Sequence, residues 1–92
     1  RHGITVNAIS CGAILKAARI AKRSKAEIDE AAARNPVMLV GEPVYIGWMA
    51  TWLASREAAF TTGQAIAVDG GSCALPGYFN AYIAGAPKKD FG

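Results

Sequence analysis

Two glycine turns, Cys11-Gly12-Ala13-Ile14 and Asp69-Gly70-Gly71, each close a short apolar run, and they are where this chain's backbone could press against a bound ligand. Gly12 permits a tight turn close to a bound ring. The ionisable side chains offer less. His2 is the only histidine and sits near a chain end, so neither a histidine-containing triad nor a two-histidine metal site can be assembled. No metal ligand set is expected, and no residue is assigned a catalytic role. Nothing in the sequence activates Cys11 as a nucleophile, and it reads as a structural thiol. Cys11 and Cys73 could meet as a redox pair only if their two turns share a sheet edge; free thiols are the favoured reading.

The elements that would carry these turns are α/β in character. Residues 4–10 (ITVNAIS) and 64–68 (QAIAV) are β-branched and short enough to be strands. Between them the pattern is helical. An alanine-rich helix is predicted over 14–23, and a second over 25–34, where Ser24-Lys25-Ala26-Glu27 has the spacing of a capping box in which Glu27 reaches back to the Ser24 N–H. Asn35-Pro36 stops that helix, 36–40 reads as extended loop, and Glu42-Pro43 opens a third helix with proline in its first turn. In the third helix Ile46, Met49 and Leu53 share one face, with Trp48 and Trp52 beside them. Residues 72–92 read as an irregular arm, with a helical turn expected over 78–84.

A strand, a crossover and a second strand make a βαβ unit. Such a unit needs neighbouring strands before both faces of its sheet are covered. The expected architecture is therefore the C-terminal portion of a doubly wound parallel sheet: two strands with intervening helices, the whole of 1–92 forming one incomplete domain. The carboxyl ends of parallel strands are where open α/β sheets bind ligands, and both glycine turns lie there.

Composition agrees. At 92 residues with 52% hydrophobic side chains, the chain carries more apolar surface than a domain so small can cover by itself. The start at Arg1-His2-Gly3, without methionine, reads as an entry in mid-protein. Ten lysines and arginines against seven acids give a net charge of +3, concentrated at Lys16, Arg19, Lys22, Arg23 and Lys25. One basic face without interleaved aromatics argues against nucleic acid; a solvated helix or a mobile loop near an anionic ligand fits it better. With no apolar run of membrane length and no cysteine framework, a cytoplasmic location is expected and no membrane partner.

The residues HGITVNAISCG (2–12), NPVMLVGEP (35–43) and REAAFTTGQAIAVDGG (56–71) resemble, in order and spacing, the last third of a short-chain dehydrogenase/reductase. The likeness runs over 3–71. It implies NAD or NADP as cofactor in the intact fold and an alcohol/ketone pair as substrate. By match, Gly12 and Ile14 lie at the cofactor, the branched residue offering main-chain N–H and C=O to the nicotinamide carboxamide; a plain core isoleucine is the alternative. Residues 15–34 take the place of the family's substrate lid, and the 46–53 helix with the 64–69 strand takes the place of its subunit contacts, which implies a dimer or tetramer through Ile46, Met49 and Leu53. Three positions depart: Cys11 replaces the usual proline, Lys16 a threonine that touches cofactor, and Leu39 an arginine.

What the sequence lacks is as informative. It has no glycine-rich dinucleotide turn. A tyrosine acid with a lysine four residues on is also missing: Tyr45, Tyr78 and Tyr82 are followed at that distance by Met49, Tyr82 and Ala86. The three tyrosines read as packing or interface aromatics. The chain is thus expected to supply a lid, a nicotinamide-side turn and an oligomer surface to the N-terminal remainder of the fold, and not to bind dinucleotide alone. The alternative is a truncated or split interaction subunit without catalysis.

Overall fold

The computed structural model describes residues 2–74, and the element order is β1 (Ala8–Cys11), α1 (Ala17–Ile20), α2 (Lys25–Ala32), α3 (Pro43–Leu53), a 3₁₀ turn (Arg56–Ala58) and β2 (Ala65–Val68). The arm beyond residue 74, including the helical turn expected over 78–84, lies outside the described residues. β1 and β2 pair in parallel, Ala8 against Ala65 through Cys11 against Val68. All three helices fall between them in sequence, as the βαβ reading requires.

The first strand begins later than the predicted residue 4. Ahead of it, Val6 N–H donates to the Thr62 hydroxyl (3.1 Å), and Gly63 N–H donates to Val6 C=O (2.7 Å). The Asn7 amide bridges the gap, donating to Thr61 C=O (3.1 Å) and accepting from Gln64 N–H (3.0 Å). Residues 6 and 7 therefore hold the partner segment by side-chain and turn bonds before the regular ladder starts. Ile4 and Val6, ahead of β1, remain 76% and 70% exposed, and among the described residues β2 is the one strand paired with β1.

The helices are shorter than their patterns suggested. The stretch predicted as helix from residue 14 starts only at Ala17, since Ile14 is drawn into a parallel bridge with Gly41 and Leu15 N–H donates to Gly41 C=O (2.8 Å). In α2 the Ser24 hydroxyl accepts from Glu27 N–H (3.2 Å), but the Glu27 carboxylate accepts from that same hydroxyl (3.3 Å) instead of reaching the Ser24 N–H. This is half a capping box. The segment predicted as extended over 36–40 contains a turn: Met38 adopts φ +59 and its N–H donates to Asn35 C=O (2.9 Å). A methionine in the left-handed region is unusual and needs the surrounding bonds to hold it.

α3 has two apolar faces. Ile46, Met49 and Leu53 are half-buried on the side that packs on β1 and β2, whereas Val44, Trp48 and Trp52 form an exposed stripe at four-residue steps. The expected oligomer residues thus face largely inward, and the outward surface of the helix is carried by a different set. Ala58 is the one fully buried hydrophobic residue among those described. Two strands and one helix cannot close a core by themselves. No helix among the described residues is long and apolar enough to cross a membrane.

Candidate functional site

At the carboxyl ends of the two strands the two glycine turns approach one another closely. Gly12 N–H extends the ladder by donating to Val68 C=O (3.0 Å). A Cβ at position 12 would stand 2.7 Å from Asp69 Cα and 2.8 Å from Asp69 Cβ, so only glycine lets the two turns touch. The second turn is tied by Asp69. One carboxylate oxygen accepts from Gly71 N–H (2.9 Å) and the other from Cys73 N–H (3.0 Å), while Asp69 C=O accepts from the Ser72 hydroxyl (2.8 Å). These donors hold the Asp69 carboxyl below the usual aspartate range, the Cys73 N–H contributing most. A side-chain hydrogen bond to the Asp69 carboxylate, followed by that group's negative charge, pushes the Cys73 thiol up.

The loop after α2 is strapped to this floor. Val37 N–H donates to Gly70 C=O (3.2 Å), and the Asn35 amide takes both main-chain groups of Leu39, donating to its C=O at 2.7 Å and accepting from its N–H at 3.4 Å. Gly41 then meets the first turn so closely that a Cβ there would lie 2.5 Å from Ala13 C=O. Together the two turns, the end of α2, this loop and Tyr45 of α3 enclose a cavity of about 320 Å³. Gly12 and Ile14 both line it.

Ile14 has a further property. Its bridge to Gly41 is made through the neighbouring peptide groups, and among the described residues neither its own N–H nor its own C=O has a partner. A parallel bridge leaves those groups pointing away from the partner strand. Both groups are therefore without a protein partner at the cavity wall.

Tyr45 also lies on the cavity wall, a role the sequence did not reveal. Its hydroxyl donates to a Glu42 carboxylate oxygen (3.0 Å), one helical turn back, and its ring tilts against Trp48 with centroids 5.7 Å apart. The Glu42 hydrogen bond, more than burial or charge, raises the phenol above its usual value and keeps it protonated. Arg23 and Arg34 reach the cavity as well. The three-residue Glu42–Tyr45 step was visible in sequence as a possible helix pair; nothing in sequence singled out the two arginines. Lys16 is exposed and flanks α1, away from the cavity lining. Cys11 and Cys73 are free, exposed thiols.

Comparison with known proteins covers the same stretch. A family profile described as Enoyl-(Acyl carrier protein) reductase matches residues 1–73. The chain is 39% identical over 78 residues to 3beta-hydroxysteroid dehydrogenase 1 of Eggerthella lenta, covering 84% of this chain and 30% of that protein. Glucose 1-dehydrogenase 2 of Bacillus subtilis is 32% identical over 74 residues, with 80% and 29% covered. Among solved structures, YwfH, an NADPH dependent reductase involved in bacilysin biosynthesis, superposes with a TM-score of 0.59 at 33% identity, over 77% of this chain and 30% of that one. A glucose/ribitol dehydrogenase from Brucella melitensis gives 0.57 at 33% identity, with 73% and 27% covered. The chain spans about 30% of the length of these relatives.

Proposed function

Because this chain belongs to the short-chain dehydrogenase/reductase family, we propose that it works as the C-terminal segment of an NAD(P)-dependent oxidoreductase interconverting an alcohol and a ketone. In that assembly the 12–14 turn forms the nicotinamide side of the site, residues 15–34 form the substrate lid, and the outer side of α3 with β2 meets another subunit. The nicotinamide would supply the hydride chemistry. This chain's residues would orient it: Gly12 brings the turn against Asp69, and the free N–H and C=O of Ile14 would hold the carboxamide. The lid excludes water when closed.

The observation that carries this reading is the convergence of both turns and the lid segment on one cavity, with the Ile14 peptide groups unpaired at its wall. Two required pieces are not in the sequence: a glycine-rich pyrophosphate turn and a tyrosine–lysine acid pair. Activity therefore needs the remaining strands of the sheet. The exposed Val44, Trp48 and Trp52 stripe supports a second reading, an interaction subunit without catalysis.

Complementation separates the two. The chain is co-expressed with the N-terminal two-thirds of a relative such as the Bacillus subtilis glucose dehydrogenase, and NAD(P)H turnover is measured on the purified complex. Turnover that the N-terminal piece lacks by itself supports the oxidoreductase reading; a stable complex with no dinucleotide binding supports the interaction subunit. The 92-residue chain on its own is expected to give no saturable change in NADH or NADPH fluorescence. Clear saturation would place the dinucleotide site within this segment and overturn the division of labour proposed here.

A further inference from the structure

The cavity has two kinds of wall. Ile14, Leu15, Val37 and Leu39 make it aliphatic on the side of the loops, while its charged lining residues are Arg23, Arg34 and Asp69. Asp69 is already committed, with both carboxylate oxygens taken by the Gly71 and Cys73 N–H groups. Glu42, behind Tyr45, accepts from the phenol. The arginines differ. Arg23 follows α1 with its N–H on Ile20 C=O (3.1 Å), and Arg34 follows α2 with its N–H on Ala31 C=O (3.3 Å), so two separate helix ends each contribute an arginine to the lining of one cavity. Both side chains are exposed, and among the described residues neither is held in an ion pair.

We infer that the cavity takes a substrate with an apolar body and a carboxylate head, the body against the aliphatic wall and the head between Arg23 and Arg34. A guanidinium offers a planar fork of N–H donors that matches a carboxylate with two parallel hydrogen bonds, and it remains charged at every physiological pH. The chemistry then performed on that substrate rests on the oxidoreductase reading, whereas the anion site itself does not.

The test uses the assembled complex containing this full chain and a matched pair of probes, benzoylformate and its methyl ester, which differ in the carboxylate alone. Binding is followed by saturation-transfer NMR and turnover by NADPH oxidation. The acid is expected to bind at least about tenfold more tightly than the ester, and Arg23→Gln and Arg34→Gln each to weaken the acid by about tenfold while leaving the ester within twofold. Arg34→Lys, which keeps charge but loses the fork, falls between. Equal affinity for acid and ester, or equal loss of both on substitution, overturns the proposal. So does a loss of NADPH affinity in place of acid affinity, which would assign the arginines to the dinucleotide's phosphates. Arginine-dependent acid binding without hydride transfer upholds the anion site and defeats the oxidoreductase reading; turnover without acid preference does the reverse.

Discussion

Replacing Gly12 by alanine tests the contact on which the whole site is built. The new methyl would stand 2.7 Å from Asp69 Cα and 2.8 Å from Asp69 Cβ. Carbon atoms at rest sit about 3.5–4.0 Å apart, so the two turns must part by roughly 0.8 Å or more. The obstacle is backbone, which cannot swing aside as a side chain would. Overpacking of this kind costs about 1–3 kcal/mol. The same retreat stretches the Gly12 N–H to Val68 C=O bond, now 3.0 Å, and forfeits up to about 1 kcal/mol more. The expected total is about 1–4 kcal/mol of destabilisation, with Ile14 carried off its position. Urea melts of the assembled complex give the first number, and an NADPH titration reads the second effect as a weakened Kd. Gly47→Ala is the control. That glycine lies inside α3 with nothing within 4 Å of an added Cβ, so alanine should stabilise by about 0.5–1 kcal/mol. A Gly12→Ala complex with unchanged melting and unchanged nucleotide affinity would refute the argument that close approach at Asp69 builds this site.

The Asp69 turn carries a pH signature. Because its folded carboxyl is held low by the Cys73 and Gly71 donors, its stabilisation is fully present above the unfolded value of about 3.9 and is lost as pH falls through the lower folded value. Melts taken across the acid range should show this limb flattened in Asp69→Asn, and identical limbs in both proteins would contradict it. The Cys73 thiol, raised chiefly by its hydrogen bond to Asp69, should react with iodoacetamide at pH 8 more slowly than a small-molecule thiol, and Asp69→Asn should speed it; an unchanged rate counts against the contact. In dilute solution the isolated chain should self-associate through Val44, Trp48 and Trp52, which are 46%, 64% and 42% exposed, and Trp48→Glu should lower its sedimentation coefficient. A monomeric, cooperatively melting chain would show that the apolar stripe needs no cover.

Much of the architecture was legible because it depends on local chemistry. Alternating β-branched residues at 4–10 and 64–68 located both strands, Pro43 opened α3 where a missing N–H costs nothing, and the Ser24 cap appeared at its expected N–H. The parallel pairing of two strands separated by helices followed from the same pattern. Where the sequence reading erred, long-range bonds had overruled local preference. Residues 14–16 have helical composition, yet Gly41 captures the backbone at Ile14 and Leu15 and delays α1 by a turn. Met38 turned left-handed because Asn35 binds it and Leu39 into a tight loop, a geometry that no methionine announces.

The sequence by itself determined the order of strands and helices, and that their apolar surface exceeds what 92 residues can bury, since these follow from side-chain periodicity and composition. Only the tertiary structure decided which face of α3 packs inward, and it chose Ile46, Met49 and Leu53 over the tryptophans because those residues project toward the pleated strands. It also decided what lines the cavity. Arg23, Arg34 and Tyr45 come from three different elements, and their meeting depends on how the loops strap those elements to the sheet, a relation between distant residues that no local pattern encodes.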